Sequence, residues 1–266
     1  MLAFLEIPKS NYYRWRNKSD DETERELTEY IKAICSKHKR RYGYRRVTQA
    51  LRDDYQQKIN HKRVSRIMAE NNLQARIRRK RFVYFKPDVI VKKADLIQRQ
   101  FKADAPNKKW YTDVSILPFG ETKLYLSAII DGFNNEIISG IIGPSPNLEL
   151  AFETINQAIQ GRNIDNVILH SDQGGLYTSP KFQEFVKEKN IIQSMSQVGV
   201  CYDNVLIESF FSHLKTEAFY SQDFTATNEQ IIEIAEEYIY YYNNDRLQLK
   251  LNKLPPIKYR EQLHTA

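Results

Sequence analysis

The stretch that decides the fold is WYTDVSILPFGETKLYLSAIIDGFNNEIISGII, residues 110–142. It contains three runs rich in β-branched and aromatic residues, and each run predicts a strand. The three runs cover residues 110–116, 122–130 and 136–142. Asp131-Gly132 and Asn134-Asn135 separate the second run from the third and are typical of a turn, so these two strands are expected to pair as an antiparallel hairpin.

Downstream of this stretch, helical and strand-like segments alternate. Short buried strands are predicted over residues 166–171 and 191–194. Helices are expected at about residues 148–161, 180–188, 204–220 and 228–243. Pro255-Pro256 is expected to break the tail. Three strands followed by helix, strand, helix, strand and helix indicate an α/β fold, and no internal repeat is present.

The first 75 residues predict a small helical module, with helices over about 20–38 and 45–54 and a third after Asn60, which suits an N-cap. Helix, Gly-containing break, short helix, turn and basic helix are the order of a helix-turn-helix. Its third helix would present basic side chains on its outer face, namely Lys62, Arg63 and Arg66. The same pattern also fits a three-helix module whose basic face is only solvated.

Charge divides the chain into two halves. Residues 1–107 hold 27 Lys+Arg and 13 Asp+Glu, a net charge of +14, whereas residues 108–266 hold the other 13 and 20, a net charge of −7. A basic front half favours a polyanionic partner, and an acidic back half argues against a passive nucleic-acid coat. The stretch RIRRKR opens a basic linker whose alternative interpretation is a merely solvated tether. Its candidate DNA contacts are Arg78, Arg79 and Arg81.

Cysteine count and hydropathy exclude several classes of protein. Cys35 and Cys201 are too far apart for a CxxC pair and too few for a disulfide framework or a Cys-rich zinc site, so a reducing compartment is expected. The N-terminal MLAFLE is too short an apolar stretch for a signal peptide, and no apolar run approaches the roughly 20 residues of a membrane span. The sequence therefore predicts a soluble, intracellular protein without a membrane partner.

Three carboxylates stand where solvated carboxylates are uncommon. Asp113 lies inside the strand-like run WYTDVSI, and Asp is depleted in strands. Asp172 follows VILHS at the end of a buried strand and opens into a Gly-Gly loop, the kind of strand end at which α/β sheets place ligands. Glu208 lies beside the apolar face of a predicted helix, and Lys215 follows two turns later on the same face.

Together these four side chains predict metal-assisted chemistry at phosphorus. Hard divalent cations prefer oxygen ligands, and two of them roughly 3.5–4 Å apart can activate an attacking oxygen and stabilise a leaving one. Each residue alone also has an ordinary structural interpretation, and Lys215 alone would be a solvated helix lysine. His170 is expected to be a hydrogen-bonded core histidine rather than a metal ligand. The acids interpreted as turn, loop or cap residues are Asp131, Asp165 and Asp203.

The joint pattern resembles the Asp-Asp-(35)-Glu signature of retroviral integrases and related bacterial transposases, because 35 residues separate Asp172 from Glu208 and Lys215 follows seven later. The chain is similar throughout to second-frame (OrfB) transposases of the insertion-sequence-three family, a DDE family. The matching blocks are YGYRRVTQALR (42–52), the basic stretch 73–81, WYTD (110–113), KLYLSAIIDGF (123–133), LHSDQGGLYT (169–178), CYDNVLIESFFSHLK (201–215) and YYNNDRL (241–247).

The resemblance implies a ribonuclease-H-like core, a five-stranded mixed sheet flanked by helices, preceded by an all-α helix-turn-helix domain. The fold class is therefore expected to be α/β with an added helical domain. The expected boundaries are a DNA-binding region at 1–85, a basic linker at 86–107, the catalytic core at 108–222, and a C-terminal helix and tail packing on the core at 223–266.

The resemblance also implies an activity, a DNA transposase in which Asp113, Asp172 and Glu208 are catalytic and bind two Mg²⁺ or Mn²⁺ ions. Water would cleave DNA at the element ends, and the freed 3′ hydroxyl would attack another phosphodiester, so no side chain is expected to be the nucleophile. Lys215 would contact DNA near the scissile phosphate. Two alternatives stay open, a metal-dependent nuclease without joining activity and an inactive DNA-binding remnant that acts as a repressor.

The expected partners are DNA, as element terminal repeats and target, further copies of the chain assembled on DNA, and a first-frame protein of the same element. The expected location is the bacterial cytoplasm, in association with the nucleoid. One segment departs from the family pattern: residues 194–200 read SMSQVGV, where Gln197, Val198 and Val200 replace a basic pair and a polar residue. This departure lowers the positive charge of a loop beside the predicted site.

Overall fold

A computed structural model describes the chain over residues 22–75, 93–196, 204–220 and 226–264. The chain forms two compact units, one within residues 1–77 and the other within residues 78–266. Each unit has buried apolar side chains of its own. Over the described residues, no helix combines the length and the apolar character needed to span a membrane.

The first unit contains the three predicted helices. They are α1 (Glu22–Lys37), α2 (Tyr44–Tyr55) and α3 (His61–Glu70). Each helix contributes fully buried side chains to a shared core, among them Ile31 of α1, Leu51 of α2 and Val64 of α3. Asn60 caps α3 as the sequence indicated, because its side chain accepts a hydrogen bond from the backbone N–H of Lys62.

The second unit is built on a five-stranded mixed sheet, which confirms the predicted fold class. Its strands are β1 (Lys109–Leu117), β2 (Leu124–Asp131), β3 (Ile137–Gly143), β4 (Ile168–Ser171) and β5 (Ile192–Met195). Their order in the sheet is β3-β2-β1-β4-β5. β1, β4 and β5 run parallel, whereas β2 and β3 form the predicted antiparallel hairpin.

Helices cover both faces of this sheet. They are α4 (Leu148–Ile159), α5 (Pro180–Glu188), α6 (Val205–Leu214), α7 (Asn228–Asn244) and α8 (Pro256–His264). Trp110 and Ile129 point into the apolar core that α4 and α5 complete. Successive side chains of a strand alternate between faces, so Asp113 and Ser115 lie on the opposite face, on the side of α6.

Two segments of the C-terminal region differ from the sequence prediction. The helix predicted over 204–220 is α-helical only to Leu214 and continues as a π turn (Lys215–Phe219), in which Tyr220 N–H donates to the Lys215 carbonyl at 2.8 Å. The expectation that Pro255-Pro256 breaks the tail is wrong, because α8 begins at Pro256. Proline is tolerated at the first position of a helix, where its missing N–H would have no partner in any case.

One buried amide ties α7 to the edge of the sheet. Asn243 Oδ1 accepts from the backbone N–H of Ile137, and Asn243 Nδ2 donates to the carbonyl of the same residue, both at 2.9 Å. The side chain therefore acts as one further strand residue beside β3. The C-terminal helix α7 is thus part of the packing of the second unit rather than an appendage.

We predict that Asn243→Ala lowers the free energy of unfolding by about 2–4 kcal/mol, because two hydrogen bonds are lost and buried backbone groups of Ile137 lose their partner. Urea denaturation followed by circular dichroism measures this. Asn244→Ala is the matched control: Asn244 bonds only the Tyr240 carbonyl on the same helix, at an exposed position. Equal losses in the two variants would contradict the assignment.

Candidate active site

Asp113 lies in the middle of β1, where it pairs with Ala128 of β2, two residues beyond the last pair that β1 forms with β4. Its Oδ1 accepts a hydrogen bond from the backbone N–H of Val114 at 2.7 Å. Burial, followed by the charge of Asp172, raises the pKa of Asp113 to about 7, and Glu208 adds to the effect while Lys215 opposes it. A strand aspartate in this setting is a group that a cation would stabilise in its charged form.

Asp172 directly follows β4 and sits on the loop that leaves the sheet. Its Oδ1 accepts from the backbone N–H of Gly174 at 2.9 Å. A Cβ placed on Gly174 would come within 2.9 Å of the same oxygen, so a larger residue here would require the carboxylate to shift. Gly174 therefore lets the Asp172 carboxylate lie close to the loop backbone.

Glu208 is supplied by the first turn of α6, and its side chain stays partly open to solvent. Asn204 anchors the start of this helix: it is buried, and its Nδ2 donates to the Thr112 carbonyl at 3.0 Å. Thr112 is the residue before Asp113, so the anchor ties α6 to β1 beside that aspartate. Burial and the charge of Asp172 raise the pKa of Glu208.

The three predicted acids thus interact with one another electrostatically, although they come from β1, from the end of β4 and from α6. Over the described residues, no group of three His, Cys, Asp or Glu side chains is close enough to enclose a metal ion. A closed cage is not required for Mg²⁺, which is usually held by one or two carboxylates together with waters and substrate phosphates. The donor set consists of carboxylate oxygens, two of them on acids whose pKa is raised, and it fits a hard divalent cation.

Lys215 lies at the end of α6, and its Nζ donates to Ser115 Oγ at 2.7 Å. Ser115 is two residues after Asp113 on β1, so both side chains are on the same face of the strand. The lysine therefore extends the site along β1, and its charge lowers the pKa of Asp113. Sequence reasoning did not identify Ser115, although its two-residue spacing from Asp113 was a usable signal.

The remaining candidate acids and His170 occupy structural positions. His170 is fully buried, and its Nδ1 is 2.9 Å from Ser194 Oγ, which also accepts from Leu96 N–H. Asp131 accepts from the backbone N–H groups of Asn107 and Phe133 at the hairpin turn. Asp165 accepts from Asn166 Nδ2 in a loop, and Asp203 is outside the described residues.

Tyr177 is a further side chain of the site that sequence reasoning missed. It is buried, packs edge-to-face on Phe182, and lies close enough to Asp113 and Asp172 for their charges to raise the pKa of its phenol, after burial as the larger cause. Its position three residues after Gly174 gave no local signal of this placement. Tyr177 belongs to the apolar core that contains Trp110 and Phe182.

The basic residues predicted to contact DNA divide into two groups. Arg63 and Arg66 of α3 both reach Glu24 of α1, at 3.1 and 2.9 Å, and Arg66 also pairs with Glu70 at 3.0 Å. Lys62 is exposed and has no ionic partner within the described part of the chain. Outside the described residues lie Arg78, Arg79, Arg81, Gln197, Val198 and Val200.

Comparisons with known proteins agree with this architecture. An HTH-like domain matches residues 22–81, and integrase core domains match residues 103–201 and 208–263. A simian T-cell lymphotropic virus intasome, solved in complex with a PP2A regulatory subunit, has a TM-score of 0.52 and 16% identity over 89% of this chain and 74% of that chain. At that identity the likeness concerns the fold alone.

Two bacterial relatives are much more similar in sequence. InsK of insertion sequence element IS150 from Escherichia coli is 40% identical over 99% of this chain and 93% of its own length. The transposase of element IS904 from Lactococcus lactis is 33% identical over 91% of this chain and 96% of its own length. With a helix-turn-helix-like unit, an integrase core and relatives that match over nearly their full length, the chain belongs to the insertion-sequence-three family of DDE transposases.

Proposed function

We propose that this DDE transposase cleaves the ends of its element and joins them to target DNA at Asp113, Asp172 and Glu208, with two Mg²⁺ or Mn²⁺ ions as cofactors. The observation that carries the proposal is the convergence of these three carboxylates, each with at least one of the others near enough to affect a pKa. Bound divalent ions would activate the attacking oxygen and stabilise the leaving one.

The chain's own residues would bind and orient the DNA. Lys215 would contact a phosphate beside the scissile bond, because it ends the helix that carries Glu208 and lies along β1 from Asp113. Water and then the DNA 3′ hydroxyl serve as nucleophiles, so the protein contributes positioning and charge rather than a covalent intermediate.

The helical unit would hold the element's terminal repeats, and the core would hold the reacting phosphodiesters of ends and target. The same proposal includes three further points: several copies of the chain assemble on DNA, a first-frame protein joins them, and the complex is located at the nucleoid in the cytoplasm. It also includes the domain boundaries at residues 85, 107 and 222 and the DNA contacts of the linker arginines. They rest on membership of the family.

Asp172→Asn tests the carboxylate site. We expect it to abolish both cleavage and strand transfer on a duplex carrying the terminal repeat, with Mn²⁺ and a target plasmid, and to weaken Mn²⁺ binding in calorimetry, because a metal-ligating charge is lost. Asp165→Asn, at a loop acid, should leave both unchanged. Wild-type activity of Asp172→Asn would exclude the assignment.

The wild-type protein in the same assays tests the two alternative functions. Nicking without joining would indicate a nuclease. DNA binding without Mn²⁺ binding would indicate a repressor remnant.

The raised pKa of Asp113, about 7 against an ordinary 3.8, predicts how the metal-free protein responds to pH. Between these values the folded chain keeps a proton that the unfolded chain has lost, so this residue makes stability fall as pH rises from 4 to 7. In EDTA, Asp113→Asn should therefore raise Tm relative to wild type, and raise it more at pH 8 than at pH 5. An equal Tm difference at the two pH values would contradict the shift.

Lys62 and Arg66 should differ in their contribution to DNA binding, because Glu24 and Glu70 offset the charge of Arg66. We expect Lys62→Gln to weaken binding of the terminal-repeat duplex and to lower the slope of log K against log salt by about 0.9. Arg66→Gln, the matched control on the same helix, should change that slope less. Fluorescence anisotropy between about 50 and 200 mM salt measures both, and a reversed order would contradict the prediction.

A further inference from the structure

A buried ion pair lies directly behind the predicted active site, between the π turn and the end of α7. Arg246 donates to Glu217 through two nitrogens, Nη2 to Oε1 at 2.7 Å and Nε to Oε2 at 2.9 Å, and Tyr238 Oη donates to Oε2 at 2.8 Å. The side chains of Arg246 and Glu217 are only 3% and 10% exposed. Removing two charges from water costs several kcal/mol per ion, so stability alone is a weak reason for such a pair.

The pair acts on an unusual piece of backbone. Residues 215–219 form a π turn at the end of α6, and π turns are rare and frequent at functional sites. Lys215 begins this turn and Glu217 follows two residues later, on the side that faces α7. The turn is therefore held from two directions, by Lys215 on Ser115 of β1 and by Glu217 on Arg246 and Tyr238.

Hydrogen bonds and apolar packing hold α6 and the π turn against α7 in different ways. Phe210, Tyr238 and Tyr242 pack α6 against α7 through ring contacts, which tolerate small rotations of one helix over the other. The bidentate contact of a guanidinium with a carboxylate fixes the relative orientation of the two groups as well as their distance. Arg246 also lies over the Tyr242 ring, 5.5 Å from its centroid, which fixes the plane of the guanidinium.

We propose that Glu217 and Arg246 are positioning residues for DNA cleavage. Their pair sets the rotation of the π turn and so places Lys215 Nζ beside Ser115, next to Asp113. The inference rests on the proposed contact of Lys215 with substrate phosphate. It assigns to the C-terminal segment a part in the reaction, in addition to its part in packing.

Arg246→Lys is the first variant, because lysine keeps the positive charge but cannot form the bidentate contact with Glu217. In the full-length protein with Mn²⁺ and a duplex carrying the terminal repeat, we expect single-turnover cleavage to fall roughly 10- to 100-fold, the effect of a small misplacement of a reacting group. Affinity for the duplex should stay within about twofold, since the helical unit supplies most phosphate contacts. Wild-type cleavage by this variant would overturn the proposal.

Arg162→Lys is the matched control. Arg162 pairs with Glu136 at 2.9 Å in a similarly enclosed ion pair, with side chains 18% and 6% exposed, at the turn between β2 and β3. We expect it to lower Tm as Arg246→Lys does and to leave cleavage unchanged. If both variants lose cleavage in proportion to Tm, the role of Arg246 is only structural and the proposal fails.

A double-mutant cycle with Lys215→Gln separates positioning from general damage. If Arg246 acts through Lys215, Arg246→Lys causes no further loss of cleavage in the Lys215→Gln protein, whereas independent effects would multiply. Multiplying losses overturn the inference and leave the proposed role of Lys215 intact. Wild-type cleavage by Lys215→Gln alone instead removes that role, and the inference falls with it.

Tyr238→Phe keeps the experiment decisive if Arg246→Lys folds poorly. It removes one hydroxyl from Glu217 and retains the ring contacts of Tyr238. A smaller loss of cleavage that again disappears in the Lys215→Gln protein supports the proposal. An unchanged rate in Tyr238→Phe together with multiplying losses in the cycle contradicts it.

Discussion

The parallel pairing of β1 with β4 is the contact on which the active site depends. Its register sets Tyr111 opposite His170. Asp113 comes two residues after Tyr111 and Asp172 two residues after His170, so the two aspartates lie at the same height along neighbouring strands. A slip of one residue would turn one carboxylate to the other face of the sheet. The register is held by apolar burial, since Trp110 and Leu169 are paired and fully enclosed in the core.

This register places like charges together, which disfavours the folded state in the absence of a counter-ion. Burial and mutual repulsion raise the pKa values of Asp113 and Glu208, and a raised carboxyl pKa is a loss of stability at neutral pH. The sheet can sustain the loss because β1 is paired along most of its length with β2. A stable apolar layer thus supports a destabilised polar edge, a common arrangement at catalytic sites.

The sequence sufficed to predict the order of strands and helices as far as α7, because the elements of the core are short and strongly patterned; α8 was not predicted. Asp113, Asp172 and Glu208 were selected because each breaks a local preference or fits a family spacing, and their catalytic role stays a prediction. Contacts between distant residues could not be predicted. Nothing local to α3 indicated that Arg63 would meet Glu24, 39 residues away, and no pattern marked the change from α helix to π turn after Leu214.

The division of charge between the two halves also acquires a structural meaning. Ion pairs inside residues 108–266, such as Glu136 with Arg162 and Glu217 with Arg246, each combine one acid with one base and leave the net charge of −7 unchanged. Within the described residues, the acids of the proposed metal site lie close together, and two divalent ions there would add four positive charges. Under the proposed function, the core would attract the scissile phosphate more strongly once the metal ions are bound, whereas the charge of the basic front half favours a polyanion with or without metal. Affinity for DNA and catalysis should therefore be separable functions of the two halves.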